Sequence, residues 1–122
     1  MNVPELQKLV EQYRTDKSVI FQMPAFVEEL ACGTALCIAG QFCVNSGWRL
    51  VENVDLDATD AVKNGRRQLP WNVAASGLDL DYDQAKRLFL KHQWPSRFQN
   101  QPDTPALAAD RIEHFIKTNG EE

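Results

Sequence analysis

Cys32 is the residue of this chain that is best suited, by type and position, to act as a nucleophile. It lies two residues before Thr34, a good N-cap for a helix over the apolar residues that follow. Backbone N–H groups and the helix dipole favour a thiolate at such a position. The sequence therefore offers Cys32 as the catalytic residue of a cysteine-dependent hydrolase or transferase. Its general base would be His92 or His114, the only two histidines.

The competing interpretation of the cysteines is structural. Free cysteines are most often small buried core residues, and this interpretation covers Cys32 and Cys37. Structural zinc sites usually have two close pairs of ligands, whereas the chain has one C-x4-C pair and two isolated histidines. We therefore expect no metal site and no cofactor. Three cysteines are too few for a disulfide framework, so we expect reduced thiols.

A basic and aromatic segment is the second place that could carry function. Its candidate ligand- or partner-binding residues are Lys86, Arg87, Lys91, His92, Trp94 and Arg97. Cations interleaved with aromatic rings can hold a phosphate, a nucleotide or an acidic protein surface. The alternative is a solvated helix face, with Trp94 packed against the core.

Three acidic residues, Asp79, Asp81 and Asp83, have the spacing of the first ligands of a calcium loop. Such a loop needs glycine at its sixth position and glutamate at its twelfth. Gln84 and Leu90 stand at these positions. Helix capping explains the three acids better, because Asp81 followed by Gln84 is typical of a capping box.

Helices have to position most of these side chains. Apolar residues at helical spacing predict a first helix within residues 1–16 and a last helix within residues 104–118, started by Thr104 and Pro105. Residues 34–46 contain almost no polar side chain, which predicts a buried central helix. Further helices are expected from Tyr82 to His92 and over residues 70–76.

The remaining segments are harder to interpret. The pattern of residues 17–31 favours neither an extended segment nor a helix. Apolar and polar residues alternate weakly over residues 48–56, as in a short strand or an irregular crossing. Residues 57–64 read as a possible helix that ends at Asn64 and Gly65. The sequence therefore predicts a mainly α fold: one compact domain over residues 1–122, with five to six helices around the buried central helix and room for one short strand.

Composition limits the classes of partner. The 122 residues are 43% hydrophobic and 25% charged, which is ordinary for one globular domain. A formal net charge of −4 argues against nucleic acid as the main partner and against an anionic membrane surface. No apolar run has the length of a membrane span, and residues 1–14 lack the pattern of a signal peptide, so we expect a cytoplasmic protein.

A short signature gives a family resemblance. The stretch 32–40, CGTALCIAG, resembles the CGT-x-x-CIAG signature of small bacterial and phage-associated proteins, most of them hypothetical. Other motifs that agree with this family are Gly77-Leu78, Ala85, Leu88-Phe89, Trp94-Pro95 and the stretch 111–116, RIEHFI. The resemblance covers about residues 21–116. It implies one domain and a shared architecture, and it brings no activity with it.

Three functions follow as hypotheses. The first is a small soluble helical binding or adaptor protein, whose partner is an unknown protein or a small anionic ligand. The second is the cysteine-dependent enzyme with Cys32 as nucleophile. The third is a phage- or defence-related protein that binds a host factor or a nucleotide through the basic segment. The oligomeric state stays open.

Overall fold

The structure is a computed structural model that describes residues 1–22, 37–53 and 58–122. None of the helices in these ranges has the length and apolar character that a membrane span requires. The elements, in chain order, are α1 (Val3–Thr15), α2 (Ile38–Asn45), β1 (Arg49–Asn53), β2 (Ala58–Lys63), β3 (Arg66–Gln68), α3 (Pro70–Gly77), α4 (Tyr82–Phe89), a 3-10 turn (Lys91–Gln93), α5 (Ser96–Gln99) and α6 (Pro105–Lys117).

Helix α1 packs against α6, although the two are far apart in sequence. The side chain of Asn2 caps α1 by accepting a hydrogen bond from the Glu5 N–H, and the buried side chains are Leu6, Leu9 and Tyr13. Their spacing of three and four residues places them on one face of the helix. This face joins the main hydrophobic core of the molecule.

The start of α6 confirms the prediction from the sequence. The Thr104 hydroxyl accepts a hydrogen bond from the Leu107 N–H at 3.1 Å, and Pro105 stands at the first helical position. Proline suits this position because its missing N–H has no partner to lose there. The capping box at α4 is also confirmed, since Asp81 and Gln84 exchange side-chain-to-backbone hydrogen bonds of 2.8 and 3.1 Å.

Helix α4 is shorter than predicted. It ends at Phe89 because Leu90 has an extended backbone, with φ −111° and ψ 111°. A separate 3-10 turn contains His92, which the sequence places at the end of the helix. The side chains of Lys91 and His92 therefore do not continue the helical face that begins with Lys86.

Helix α2 agrees with the predicted burial of the central segment. The buried residues of this helix are Ile38, Ala39, Gly40, Phe42 and Cys43. Its N-cap is Cys37, whose Sγ accepts a hydrogen bond from the Gly40 N–H at 3.3 Å. The predicted cap, Thr34, lies outside the described residues.

The prediction of a mainly α helical bundle is wrong, because the chain also contains an antiparallel sheet in the order β1-β2-β3. The possible helix at residues 57–64 is wrong for the same reason: residues 58–63 are strand β2. Asn64 and Gly65 connect β2 to β3 with positive φ angles of 53° and 78°. This pair is typical of a two-residue hairpin turn, whose twist matches that of the strands. The structure is therefore mixed α and β.

The sheet attaches to the helices through a small second core. Leu50 of β1 lies opposite Ala61 of β2, so both side chains are on the same face. That face packs against Cys43 of α2 and Val73 of α3, together with Trp48. The sheet therefore covers the α2–α3 pair.

Candidate functional site

The structure places three residues of the predicted basic and aromatic segment around one buried arginine. Arg87, Trp94 and Arg97 gather around a fourth residue, Arg111 of α6. Trp94 is 2% exposed, and its indole N–H donates to the Leu88 carbonyl at 2.9 Å. Trp94 therefore belongs to the core, and its ring contacts the Arg111 guanidinium. The candidate nucleophile Cys32 lies outside the described residues.

The other three members of the segment have surroundings of their own. Lys86 is placed over the ring of Tyr82, with its Nζ 5.4 Å from the ring centroid. Lys91 forms an ion pair with Asp103. His92 is exposed on the 3-10 turn. The six-residue binding site therefore stays a prediction, with Arg87, Trp94 and Arg97 as the members that the structure places around Arg111.

Arg111 is fully buried within an aromatic cage. Its guanidinium carbon lies 5.5 Å from the ring centroid of Trp94, 5.8 Å from that of Phe98 and 5.6 Å from that of Phe115. The electron-rich ring faces attract a cation and provide apolar contacts to the guanidinium plane. The cage thus fixes the position of the charge before any anion arrives.

The anion that meets Arg111 is the side chain of Glu122. Arg111 donates from both terminal nitrogens to the two carboxylate oxygens, with Nη2–Oε2 at 2.6 Å and a second contact from Nη1 to Oε1. Its Nη2 also donates to the Arg87 carbonyl at 2.8 Å, and His114 Nδ1 lies 3.0 Å from Oε1. Two parallel hydrogen bonds of this kind give the strongest and most directional contact between arginine and carboxylate.

Burial has the expected electrostatic effect on this pair. Removal from water lowers the pKa of the Arg111 guanidinium below its ordinary value, and the Glu122 carboxylate counteracts this. The positive charges of Arg87 and Arg97 lower the pKa of Arg111 further. Arginine nevertheless stays protonated in proteins, so this position holds a permanent buried cation that needs an anion. Its Nε has no hydrogen-bond partner in the described part of the chain.

An open groove lies next to this pair, between α5 and α6. This α5–α6 groove has a volume of about 440 Å³ and is lined by Arg97, Phe98, Asp110, Glu113, His114 and Lys117. His114 lines the groove and also contacts Glu122, so this one residue links the groove to the buried pair. The Arg97 guanidinium lies over Phe98, with 4.7 Å between its carbon and the ring centroid.

A second groove, of about 490 Å³, lies between α1 and α6. Its apolar side chains include Val10 and Ile116, and Lys117 is shared with the α5–α6 groove. Arg14 and Glu113, which also line it, are paired with each other at 2.7 Å. The α1–α6 groove therefore offers an apolar surface and little polar recognition.

Burial argues against a nucleophilic role for the two described cysteines. Cys37 and Cys43 are fully buried. Burial, with a smaller contribution from Cys37, raises the pKa of the Cys43 thiol to about 12. The pKa of the nearby Tyr13 hydroxyl is also raised by burial and by Cys37. The Cys43 thiol, with so high a pKa, is neutral at physiological pH and reacts slowly.

The described residues contain no group of three or more histidine, cysteine or acidic side chains that could hold a metal ion.

The high pKa of Cys43 predicts a specific loss of stability in alkali. The folded chain keeps the thiol proton up to about pH 12, whereas the unfolded chain loses it above about pH 8.5. The unfolded state then binds fewer protons, so the free energy of unfolding falls as pH rises. For this group we expect a fall of about 1 kcal/mol between pH 8.5 and pH 9.5. Urea denaturation of the wild-type chain and of Cys43→Ala at both pH values measures it, and equal pH dependence of the two would contradict it.

The sequence interpretation missed Arg111 and Glu122. Arg111 lies four residues after Leu107 and four before Phe115, within the apolar stripe of α6. A charge in the middle of such a stripe is a signal of a buried, paired side chain. Nothing in the sequence indicates that residue 122 supplies the partner, because that contact depends on how the chain turns after α6.

The arrangement around Arg111 has to be interpreted from its own geometry. A scan against models of protein families, a search of curated proteins and a search of solved structures found no match to this chain. The resemblance to the CGT-x-x-CIAG proteins therefore stays a prediction.

Proposed function

We propose that this chain is a small binding protein that recognises an acidic segment of a partner protein in the α5–α6 groove. The observation that carries the proposal is the buried Arg111, which binds a carboxylate through two parallel contacts and is linked to that groove through His114. An aromatic cage and a fixed guanidinium form a preorganised carboxylate site, so little conformational entropy is lost on binding.

The charges along the groove favour an acidic partner. Arg97 and Lys117 form no ion pair within the described ranges. The two acids of the groove, Asp110 and Glu113, are already bound to Arg14 at 2.8 and 2.7 Å. Arg14, Arg97 and Lys117 outnumber Asp110 and Glu113 by one charge, so the groove keeps a small positive excess, although the chain as a whole carries a net charge of −4.

The same geometry favours a carboxylate over a phosphate. The anion that already occupies Arg111 is a planar carboxylate, which matches the guanidinium fork. Phe98 and the ring of His114, whose centroids are 5.5 Å apart, add an apolar wall that suits the methylene groups of a glutamate side chain. A peptide with closely spaced glutamates fits both the cations and the wall.

A titration with an acidic peptide tests the proposal. The probe is a fluorescein-labelled peptide of four Gly-Glu-Glu repeats, with Gly-Gln-Gln repeats as the uncharged control. We expect saturable binding of the acidic peptide by fluorescence anisotropy, weakened by salt, and no binding of the control. Replacing both Arg97 and Lys117 by alanine is expected to weaken binding about tenfold.

The matched control variant is Lys86→Ala, which removes one positive charge that lies over Tyr82 and outside the groove. It is expected to leave the affinity unchanged. Absence of saturable binding, or an equal effect of Lys86→Ala and of Arg97→Ala, contradicts the proposal. Binding of ATP or inorganic phosphate that depends on Arg97 and Lys117, without peptide binding, identifies a phosphate ligand and overturns it.

A further inference from the structure

Residues 118–122 turn back after α6 and reach the buried site. Asn119 and Gly120 have successive positive φ angles of 56° and 71°, and the Gly120 N–H donates to the Phe115 carbonyl at 2.8 Å. A Cβ atom at Gly120 would lie 2.9 Å from Gln84 Nε2 and 3.1 Å from Phe115 Cζ. Only glycine fits this turn without a shift of its neighbours, and the turn directs Glu122 towards Arg111.

Side chains of α4 and α6 bind residues 118–122 through polar contacts of the kind that hold a ligand. Arg87 Nε donates to the Gly120 carbonyl at 2.8 Å, while Arg111 and His114 contact the Glu122 carboxylate. The Glu122 side chain is only 5% exposed. One residue of the segment is thus recognised through its backbone and another, two positions later, through its charge.

The other contacts of the segment include the backbone hydrogen bonds of its own turn, such as those from the Thr118 and Asn119 N–H groups to α6. Its sequence, TNGEE, contains no large apolar side chain, so its docking gains little from the hydrophobic effect. Segments with few buried apolar contacts open at a low cost in free energy. An external carboxylate that makes the same contacts can compete with Glu122 once its concentration exceeds the local concentration of the tethered segment.

We propose that Glu122 is an internal ligand of Arg111, and that a partner segment with the pattern Gly-x-Glu displaces it. This inference rests on the proposed function, and it adds the ligand pattern and the regulation of the same site. The partner glycine would take the place of Gly120 beside Arg87, and the partner glutamate would take that of Glu122. While residues 118–122 stay docked, peptide binding is limited to the outer part of the α5–α6 groove.

The variant Glu122→Gln tests this competition, because the amide keeps the size of the side chain and loses the charge. We expect the Gly-Glu-Glu probe to bind at least fivefold more tightly to this variant than to the wild-type chain, since the competitor is weakened. The gain is expected to persist when Arg97→Ala is added to both chains. The matched control is Glu121→Gln, which changes the exposed neighbour and is expected to have no effect.

Hydrogen exchange on the wild-type chain gives a second measurement that does not depend on the folding of a variant. Saturating peptide is expected to speed exchange of the Gly120 amide at least fivefold, because its bond to Phe115 is lost on displacement. Equal or weaker affinity of Glu122→Gln, or an unchanged Gly120 exchange rate in saturating peptide, overturns this inference alone. Loss of peptide binding by the wild-type chain marks the failure of the proposed function instead.

Discussion

Replacing Arg111 by alanine is expected to lower the free energy of unfolding by about 3–5 kcal/mol. The substitution removes the fully buried cation that binds Glu122 and leaves that carboxylate, 5% exposed, without its arginine partner. It also opens a cavity between the rings of Trp94, Phe98 and Phe115, which all lie within 6 Å of the guanidinium carbon. Both effects act in the same direction, and a cavity between rigid rings closes poorly.

Urea denaturation followed by circular dichroism measures this loss. Arg111→Met, which keeps much of the side-chain volume, separates packing from charge and is expected to lose less than Arg111→Ala. The matched control is Arg97→Ala, an exposed arginine that contacts one of the same rings and is expected to cost less than about 1 kcal/mol. A loss below 1 kcal/mol for Arg111→Ala would show that the buried pair has no structural importance.

Trp94→Ala is expected to cost about 3–5 kcal/mol of unfolding free energy, as large-to-small changes in a core do. The indole stacks on Phe21, with ring centroids 6.1 Å apart and an angle of 7° between the planes. Its N–H is bonded to the Leu88 carbonyl, which would be left without that donor. Because the indole also forms one wall of the Arg111 cage, the substitution is expected to weaken peptide binding as well.

The control for this prediction comes from the same sequence segment. His92 is exposed on the 3-10 turn, and His92→Ala is expected to change the free energy of unfolding by less than about 0.5 kcal/mol. Thermal unfolding of the two variants side by side distinguishes a core residue from a surface residue. If Trp94→Ala has the stability of the wild-type chain, the position of Trp94 in the core is wrong.

Helix starts could be predicted from the sequence because their signals are local. The pairs Asp81 with Gln84 and Thr104 with Leu107 each span three residues, so the residues that form the hydrogen bonds can be read together. The predicted N-cap of the central helix, Thr34, lies outside the described residues. Cys37 takes this role for the described part of α2 and leaves Ile38 as the first helical residue.

The strands of the sheet could not be predicted from their sequence pattern. Strand β3, with the sequence RRQ, has three exposed side chains, so no alternation of polar and apolar residues marks it. Asn64 and Gly65 carry a signal for a hairpin turn, and they equally suit the end of a helix. The choice between the two depends on whether a partner strand follows, which is a property of the tertiary structure.

The site could be predicted in part. Arg87, Trp94 and Arg97 come close together because α4, the 3-10 turn and α5 follow each other directly in the chain. Arg111 joins them from another helix, and its burial depends on packing that no local pattern expresses. The contacts of Lys86 with Tyr82 and of Lys91 with Asp103 could not be predicted from the sequence either.

The contact between α1 and α6 has a consequence for the timing of folding during synthesis. Arg14 binds Asp110 and Glu113, which lie 96 and 99 residues later. At about 5–20 residues per second, a ribosome needs about 5–20 seconds to make that interval. Leu6, Leu9 and Tyr13, the buried face of α1, are synthesised long before α6 can cover them. The nascent chain therefore carries an exposed apolar helix face for several seconds, and this face is where we expect a chaperone to bind it.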